Sequence, residues 1–105
     1  MQEVFVDIYC RGFPGTERTT PFGDDTVVWT VHGHMFAAYT KGGEGVSLRL
    51  DNKIAAHLAV GQGRAASTPY LKGDGWVLFP WDTRPEELRD RIGKSYRLVL
   101  SDKNR

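Results

Sequence analysis

Cysteine is almost absent from this chain of 105 residues, in which Cys10 stands alone. A single cysteine excludes an intrachain disulfide, which fits a reducing compartment. No apolar run approaches the roughly 20 residues that a membrane span needs. The start, Met1-Gln2-Glu3, also lacks the basic residues of a signal peptide. We therefore expect a cytoplasmic protein with no membrane partner.

A strong excess of charge of either sign is also missing. The formal net charge is +1, which argues against a strong non-specific attraction to nucleic acid. Hydrophobic residues make up 40% of the chain and charged residues 26%, the composition of a globular protein and not of a disordered one. We expect one domain over residues 1–105, a monomer or weak dimer that folds without a cofactor.

Motifs for catalysis and for metal binding are absent as well. His32 and His34 flank Gly33, which marks a turn, so we expect two solvated histidines there and no metal site. Cys10 falls near the end of the first predicted helix, where the dipole disfavours a thiolate, and a buried or half-buried inert thiol is expected. The loop at 61–66 lacks the Gly-Lys-Ser/Thr ending of a phosphate-binding loop. These absences predict a protein that is not an enzyme.

The first half of the chain has the pattern of an antiparallel meander. Runs rich in β-branched and aromatic residues predict strands at 27–31, 35–40 and 46–50. Gly33 can adopt the positive φ that a tight hairpin turn requires. Ser47 and Arg49 alternate with apolar neighbours, so they are expected on the opposite side of the third strand. A further strand is predicted at 76–81.

Helical spacing predicts three helices around these strands. The first has its apolar positions at Val4, Phe5, Ile8 and Tyr9. The second is short and follows Asp51, a suitable N-cap. The third has Pro85 in its first turn and a capping box formed by Thr83 and Glu86. Its apolar face is predicted to consist of Leu88, Ile92, Tyr96, Val99 and Leu100.

Basic and aromatic residues alternate in and after the loop at 61–75. Together with Arg49, the candidate contacts for a ligand are Arg64, Tyr70, Lys72 and Trp76. Such groups can hold a phosphate backbone and stack on bases. An equally good explanation is that the basic residues are surface charges and that Tyr70 and Trp76 belong to the core, as most such aromatic residues do.

Several short sequence segments occur in an order and spacing that can be compared with a known protein family. They include the Phe13-Pro14-Gly15 turn, Pro21-Phe22-Gly23 before the hairpin, Tyr70 shortly before Trp76, and a closing helix from Pro85-Glu86-Glu87-Leu88 to Ser95-Tyr96-Arg97-Leu98-Val99. In this order and spacing, over nearly the whole chain, the sequence resembles the MmcQ/YjbR-like family of small, largely uncharacterised bacterial proteins. It departs from that pattern at Gly75, where such proteins often carry a histidine before the tryptophan.

The resemblance implies an α+β fold with the order helix, three strands, helix, two strands, helix. Its helices would pack on one face of an antiparallel sheet, as in secretion-chaperone-like and CyaY-like proteins. A DNA-binding role through projecting hairpin wings has been suggested for such proteins, and no catalytic residues come with the family. The leading hypothesis is therefore a non-enzymatic module that binds nucleic acid. The alternative is a module that binds a protein or a small ligand through its sheet face or the 61–75 loop cleft.

Overall fold

The computed structural model describes residues 2–50, 66–67 and 75–103. The predicted second helix, after Asp51, lies outside the described residues. The helices are α1 (Gln2–Arg11) and α2 (Pro85–Lys103). The strands are β1 (Thr16–Thr19), β2 (Thr26–Val31), β3 (His34–Thr40), β4 (Gly45–Arg49), β5 (Ala66–Ser67) and β6 (Trp76–Pro80).

The strands form one antiparallel sheet in the order β1-β2-β3-β4-β6-β5. Buried side chains of α1 and α2 share one hydrophobic core with alternate residues of the strands, including Trp29, Tyr39, Leu48 and Phe79. Both helices therefore cover the same face of the sheet, which we call the helix face. The predicted α+β class and the antiparallel sheet with helices on one face are confirmed.

The hairpin predicted around Gly33 joins β2 to β3, with a two-residue turn in place of the three residues expected between the strands. Val31 pairs with His34, and the turn residues His32 and Gly33 have φ values of 51° and 84°. Positive φ at both positions is the signature of a type I′ turn, whose twist matches that of the strands it joins. Further along, the register shifts between Trp29 and Thr30, which leaves Phe36 without a paired residue in a β-bulge.

The strand β1 was not predicted. Its sequence, Thr-Glu-Arg-Thr, has no apolar residue, and Glu17 and Arg18 are exposed. It pairs with β2 along one side and forms an edge of the sheet. Polar and charged residues are the usual protection of an exposed edge against pairing with another chain. An edge strand of this kind has no hydrophobic alternation from which it could be recognised.

The predicted apolar face of α1 is only partly the buried one, since Phe5 and Tyr9 pack against the core. Val4 and Ile8 are 58% and 62% exposed, whereas Val6 and Cys10 are fully buried. The reason is Asp7, whose carboxylate accepts hydrogen bonds from side chains on the helix face and so fixes the rotation of α1. Hydrophobic spacing alone could not reveal this, because the orienting group is polar.

The apolar face of α2 is largely as predicted. Leu88, Ile92, Tyr96 and Val99 are buried, and Leu100 is partly buried. The helix begins at Pro85, and its first i to i−4 bond runs from Leu88 N–H to the Arg84 carbonyl at 2.9 Å. The predicted capping box is not formed among the described residues, because the helix starts too late for Thr83 to cap it. The N–H of Thr83 instead donates to the Pro80 carbonyl in a turn.

Candidate functional site

Two of the predicted contact residues are direct neighbours in the sheet. Arg49 at the end of β4 pairs with Trp76 at the start of β6. Residues directly opposite in an antiparallel pair point to the same face, and for this pair it is the face away from the helices. Both residues are partly exposed. The structure thus places Arg49 and Trp76 side by side on one face of the sheet, while Arg64, Tyr70 and Lys72 lie outside the described residues.

The backbone at Arg49 is fixed by a buried serine. Ser95 of α2 is fully buried; its hydroxyl donates to the Phe36 carbonyl at 2.6 Å and accepts from the Arg49 N–H at 3.0 Å. The bulge in β3 would otherwise leave these backbone groups without a strand partner. One side chain from the helix therefore ties β4 to β3 where their ladder ends, and it holds Arg49 in place.

The structure explains why position 75, where the sequence departs from the pattern it resembles, is a glycine. Its φ is +85°, and a Cβ placed on it would lie 2.5 Å from the Leu50 carbonyl oxygen. Leu50 N–H donates in turn to the Gly75 carbonyl at 2.8 Å. A side chain at this position would meet backbone that cannot move aside cheaply. The glycine lets the chain cross closely over the end of β4 and places Trp76 opposite Arg49.

The sheet face opposite the helices is not an open surface at its centre. Val28, Ala38, Ser47 and Leu78 occupy paired positions across β2, β3, β4 and β6, and all four are buried. Ser47 lies on this side, as predicted, and it is fully buried. A partner therefore finds no exposed apolar surface at these four positions.

A polar cluster on the helix face was not identified from the sequence. Asp7 Oδ1 accepts hydrogen bonds from Trp29 Nε1–H and from the Tyr39 hydroxyl, each at 2.9 Å. Its Oδ2 lies 3.4 Å from Nε of Arg18 on β1. Burial, and then the hydrogen bond to Asp7, raise the pKa of Tyr39 to about 12. The signal that could have revealed the cluster was a lone acidic residue within the apolar stretch of α1.

The residues considered for catalysis are not assembled into a reactive group. Cys10 is buried, and burial together with the nearby Asp7 carboxylate raises its thiol pKa. The expectation of a buried thiol is confirmed. His32 and His34 are exposed at the β2–β3 turn. Among residues 2–50, 66–67 and 75–103, no group of three or more His, Cys, Asp or Glu side chains is placed to hold a metal ion.

The architecture defines a small α+β protein whose two described helices cover one face of an antiparallel sheet. Neither of these helices is long and apolar enough to cross a membrane. The family model YjbR matches residues 11–98, which is most of the chain. The chain belongs to the YjbR family, and the resemblance seen in its sequence is confirmed.

A solved structure shares this fold. The crystal structure of the Deinococcus radiodurans protein DR2400, which carries a DUF419 domain, superposes with a TM-score of 0.81 at 24% sequence identity. The match covers 93% of this chain and 78% of that one. At this identity the likeness shows the fold alone. No curated protein matches the chain significantly.

Proposed function

We propose that this chain is a non-enzymatic binding module that contacts nucleic acid through the surface formed by Arg49 and Trp76. The observation that supports the proposal is their direct pairing across β4 and β6 on the face away from the helices. A guanidinium can hold a phosphate, and an indole beside it can stack on an unpaired base or wedge against a base step.

One further observation favours this surface, and a second one supports a role without catalysis. Ser95 and Gly75 fix the backbone on either side of the pair, so both side chains are attached to a rigid part of the sheet. A rigid base lowers the entropy lost when side chains are ordered on binding. The buried Cys10, with its raised thiol pKa, supports a role without nucleophilic catalysis.

The low net charge sets the expected strength of binding. With a formal charge of +1 the chain has little long-range attraction for phosphates. Binding should therefore be measurable at low salt and weak at physiological salt. Each phosphate contact contributes about −0.9 to the slope of log K against log salt for duplex DNA and about −0.7 for a single strand. Loss of the Arg49 contact should reduce that slope by about one phosphate.

The test is fluorescence anisotropy of a labelled duplex and a labelled single strand, each titrated with protein at several salt concentrations. The variant is Arg49→Gln, and the matched control is Arg84→Gln, which removes the same charge from a side chain that is 84% exposed at the start of α2. We expect a smaller salt slope and weaker binding for Arg49→Gln alone. Absence of binding to both probes at low salt, or equal losses in the two variants, would refute the proposal.

The alternative ligand is a protein or a small molecule. Its sheet-face version has no exposed apolar surface at Val28, Ala38, Ser47 and Leu78. Its second version uses the 61–75 loop cleft, most of which lies outside the described residues. Neither version gains a supporting observation, so nucleic acid remains the ligand that we propose for the Arg49–Trp76 surface.

A further inference from the structure

A groove lies between the C-terminal half of α1 and the middle of α2, on the side of the sheet opposite to the Arg49–Trp76 pair. Its volume is about 420 Å³, within the range of about 300–1,000 Å³ typical of small-molecule sites. One wall carries Ile8, Tyr9 and Phe13, and the other carries Arg89, Gly93 and Arg97. The groove is thus apolar and aromatic on one side and basic on the other.

The basic wall is built by helical spacing. Arg89, Gly93 and Arg97 follow one another at intervals of four, so they lie along one stripe of α2. A Cβ at Gly93 would lie 3.3 Å from Nη1 of Arg97, closer than most contacts of this kind. The Arg97 guanidinium therefore lies over the glycine. Glycine is unfavourable inside a helix, and its effect at this position is to leave room for that side chain.

The charges of the groove are unbalanced. Neither Arg89 nor Arg97 forms an ion pair within the described part of the chain. The one acidic side chain among the lining residues is Asp90, and Lys94 lies 3.1 Å from its carboxylate. The groove therefore presents two guanidiniums, and its carboxylate is already matched by a lysine outside the lining.

The aromatic wall is held by contacts within the domain. Phe13 stacks on Tyr96 with ring centres 4.5 Å apart, and Tyr9 meets Phe5 edge to face at 4.5 Å. The Arg89 guanidinium lies 5.3 Å from the centre of the Tyr9 ring. A cation–π contact of this kind holds a guanidinium beside the ring and leaves its N–H donors for the oxygens of an anion.

We propose that this groove binds a small organic anion, namely a carboxylate or phosphate group carried on a flat apolar body. Arg89 and Arg97 bind the anionic oxygens, since a planar guanidinium matches carboxylate and phosphate geometry with paired donors. The apolar body lies against Ile8, Tyr9 and Phe13. This site is separate from the Arg49–Trp76 surface, and neither proposal depends on the other.

The test uses phenyl phosphate and benzoate as probes, with inorganic phosphate and benzylamine as comparisons. Two-dimensional ¹H–¹⁵N NMR follows the backbone amides and the arginine Nε–H signals of the labelled protein. We expect saturable shifts at Arg89, Arg97 and Gly93 with an aryl anion, weaker shifts with inorganic phosphate and none with benzylamine. The better of the two aryl anions shows whether the groove prefers a phosphate or a carboxylate group.

Variants locate the binding. Arg89→Gln and Arg97→Gln should each weaken binding of the better aryl anion about 10-fold, because each removes a charge-assisted hydrogen bond. Arg84→Gln, which changes net charge equally but lies outside the lining, should bind as the wild type does. The dispersion of each spectrum reports whether a variant is folded. Absence of saturable shifts with both aryl anions, or equal weakening in all three variants, overturns the proposal.

Discussion

Removal of the Asp7 side chain tests how α1 is held on the sheet. Asp7→Ala leaves the Trp29 Nε1–H and the Tyr39 hydroxyl without their acceptor, and both residues are at most 2% exposed. A buried donor without a partner costs about 1–3 kcal/mol. The free energy of unfolding should therefore fall by about 2–6 kcal/mol, a large part of the roughly 5–15 kcal/mol typical of a small domain. Urea denaturation followed by circular dichroism measures the loss.

Two companion variants separate the hydrogen bonds from the charge. Asp7→Asn keeps a side-chain oxygen for both donors and removes the charge near Arg18, so its loss should be clearly smaller. Asp24→Ala removes a carboxylate from an exposed turn and should change stability by less than about 0.5 kcal/mol. If Asp7→Ala matched Asp24→Ala, the carboxylate would not be what orients α1, and the explanation for its buried face would fail.

Three further predictions concern the core and the groove. The pKa of Tyr39 is raised from 10.0 to about 12 by folding, so the unfolded chain loses this proton first and stability falls as pH rises from 10 toward 12. Tyr39→Phe should flatten that part of a pH series of urea denaturations; an unchanged slope would contradict the assignment. Cys10 is buried with a raised thiol pKa, so a disulfide reagent followed by absorbance should label it only on unfolding, and rapid labelling of the native protein would refute this. Gly93→Ala should raise the free energy of unfolding by about 0.5–1 kcal/mol through helix propensity, yet weaken binding of the aryl anion by displacing Arg97. Unchanged binding in that variant would show that the position of Arg97 is irrelevant.

Most of the fold features that could be predicted depend on residues close together in the sequence. The β2–β3 hairpin follows from two β-rich runs around Gly33, and α2 follows from Pro85 and a regular apolar stripe. Both features depend on neighbours within a few residues. Contacts with the sheet, and not local signals, determine the strand β1 and the rotation of α1. The strand β1 forms by pairing with β2 at the edge of the sheet. The rotation of α1 is set by the hydrogen bonds that Trp29 and Tyr39 donate to Asp7.

The candidate sites were harder to predict than the fold. The sequence singled out Arg49 and Trp76 because their side chains suit nucleic-acid binding. Their pairing could not be predicted, because it depends on β4 and β6, which are distant in the sequence, being neighbours in the sheet. The groove between α1 and α2 was missed altogether. Arg89 and Arg97 have the pattern of an ordinary solvated helix face, and only the packing of α1 places aromatic rings opposite them. Sequence spacing reports which residues share a helix face and not what that face meets.

The most direct test of the proposed function is ¹⁹F NMR of protein labelled with 5-fluorotryptophan and titrated with single-stranded and duplex DNA at low salt. Trp29 is 1% exposed, the Trp81 Nε1–H donates to the Gly43 carbonyl at 2.8 Å, and Trp76 is partly exposed beside Arg49. A Trp76→Phe variant assigns the signals. We predict that DNA shifts the Trp76 resonance and leaves that of Trp29 in place, with the shift reversed by added salt. DNA that binds without moving the Trp76 resonance, or that does not bind at low salt, would contradict the proposed surface.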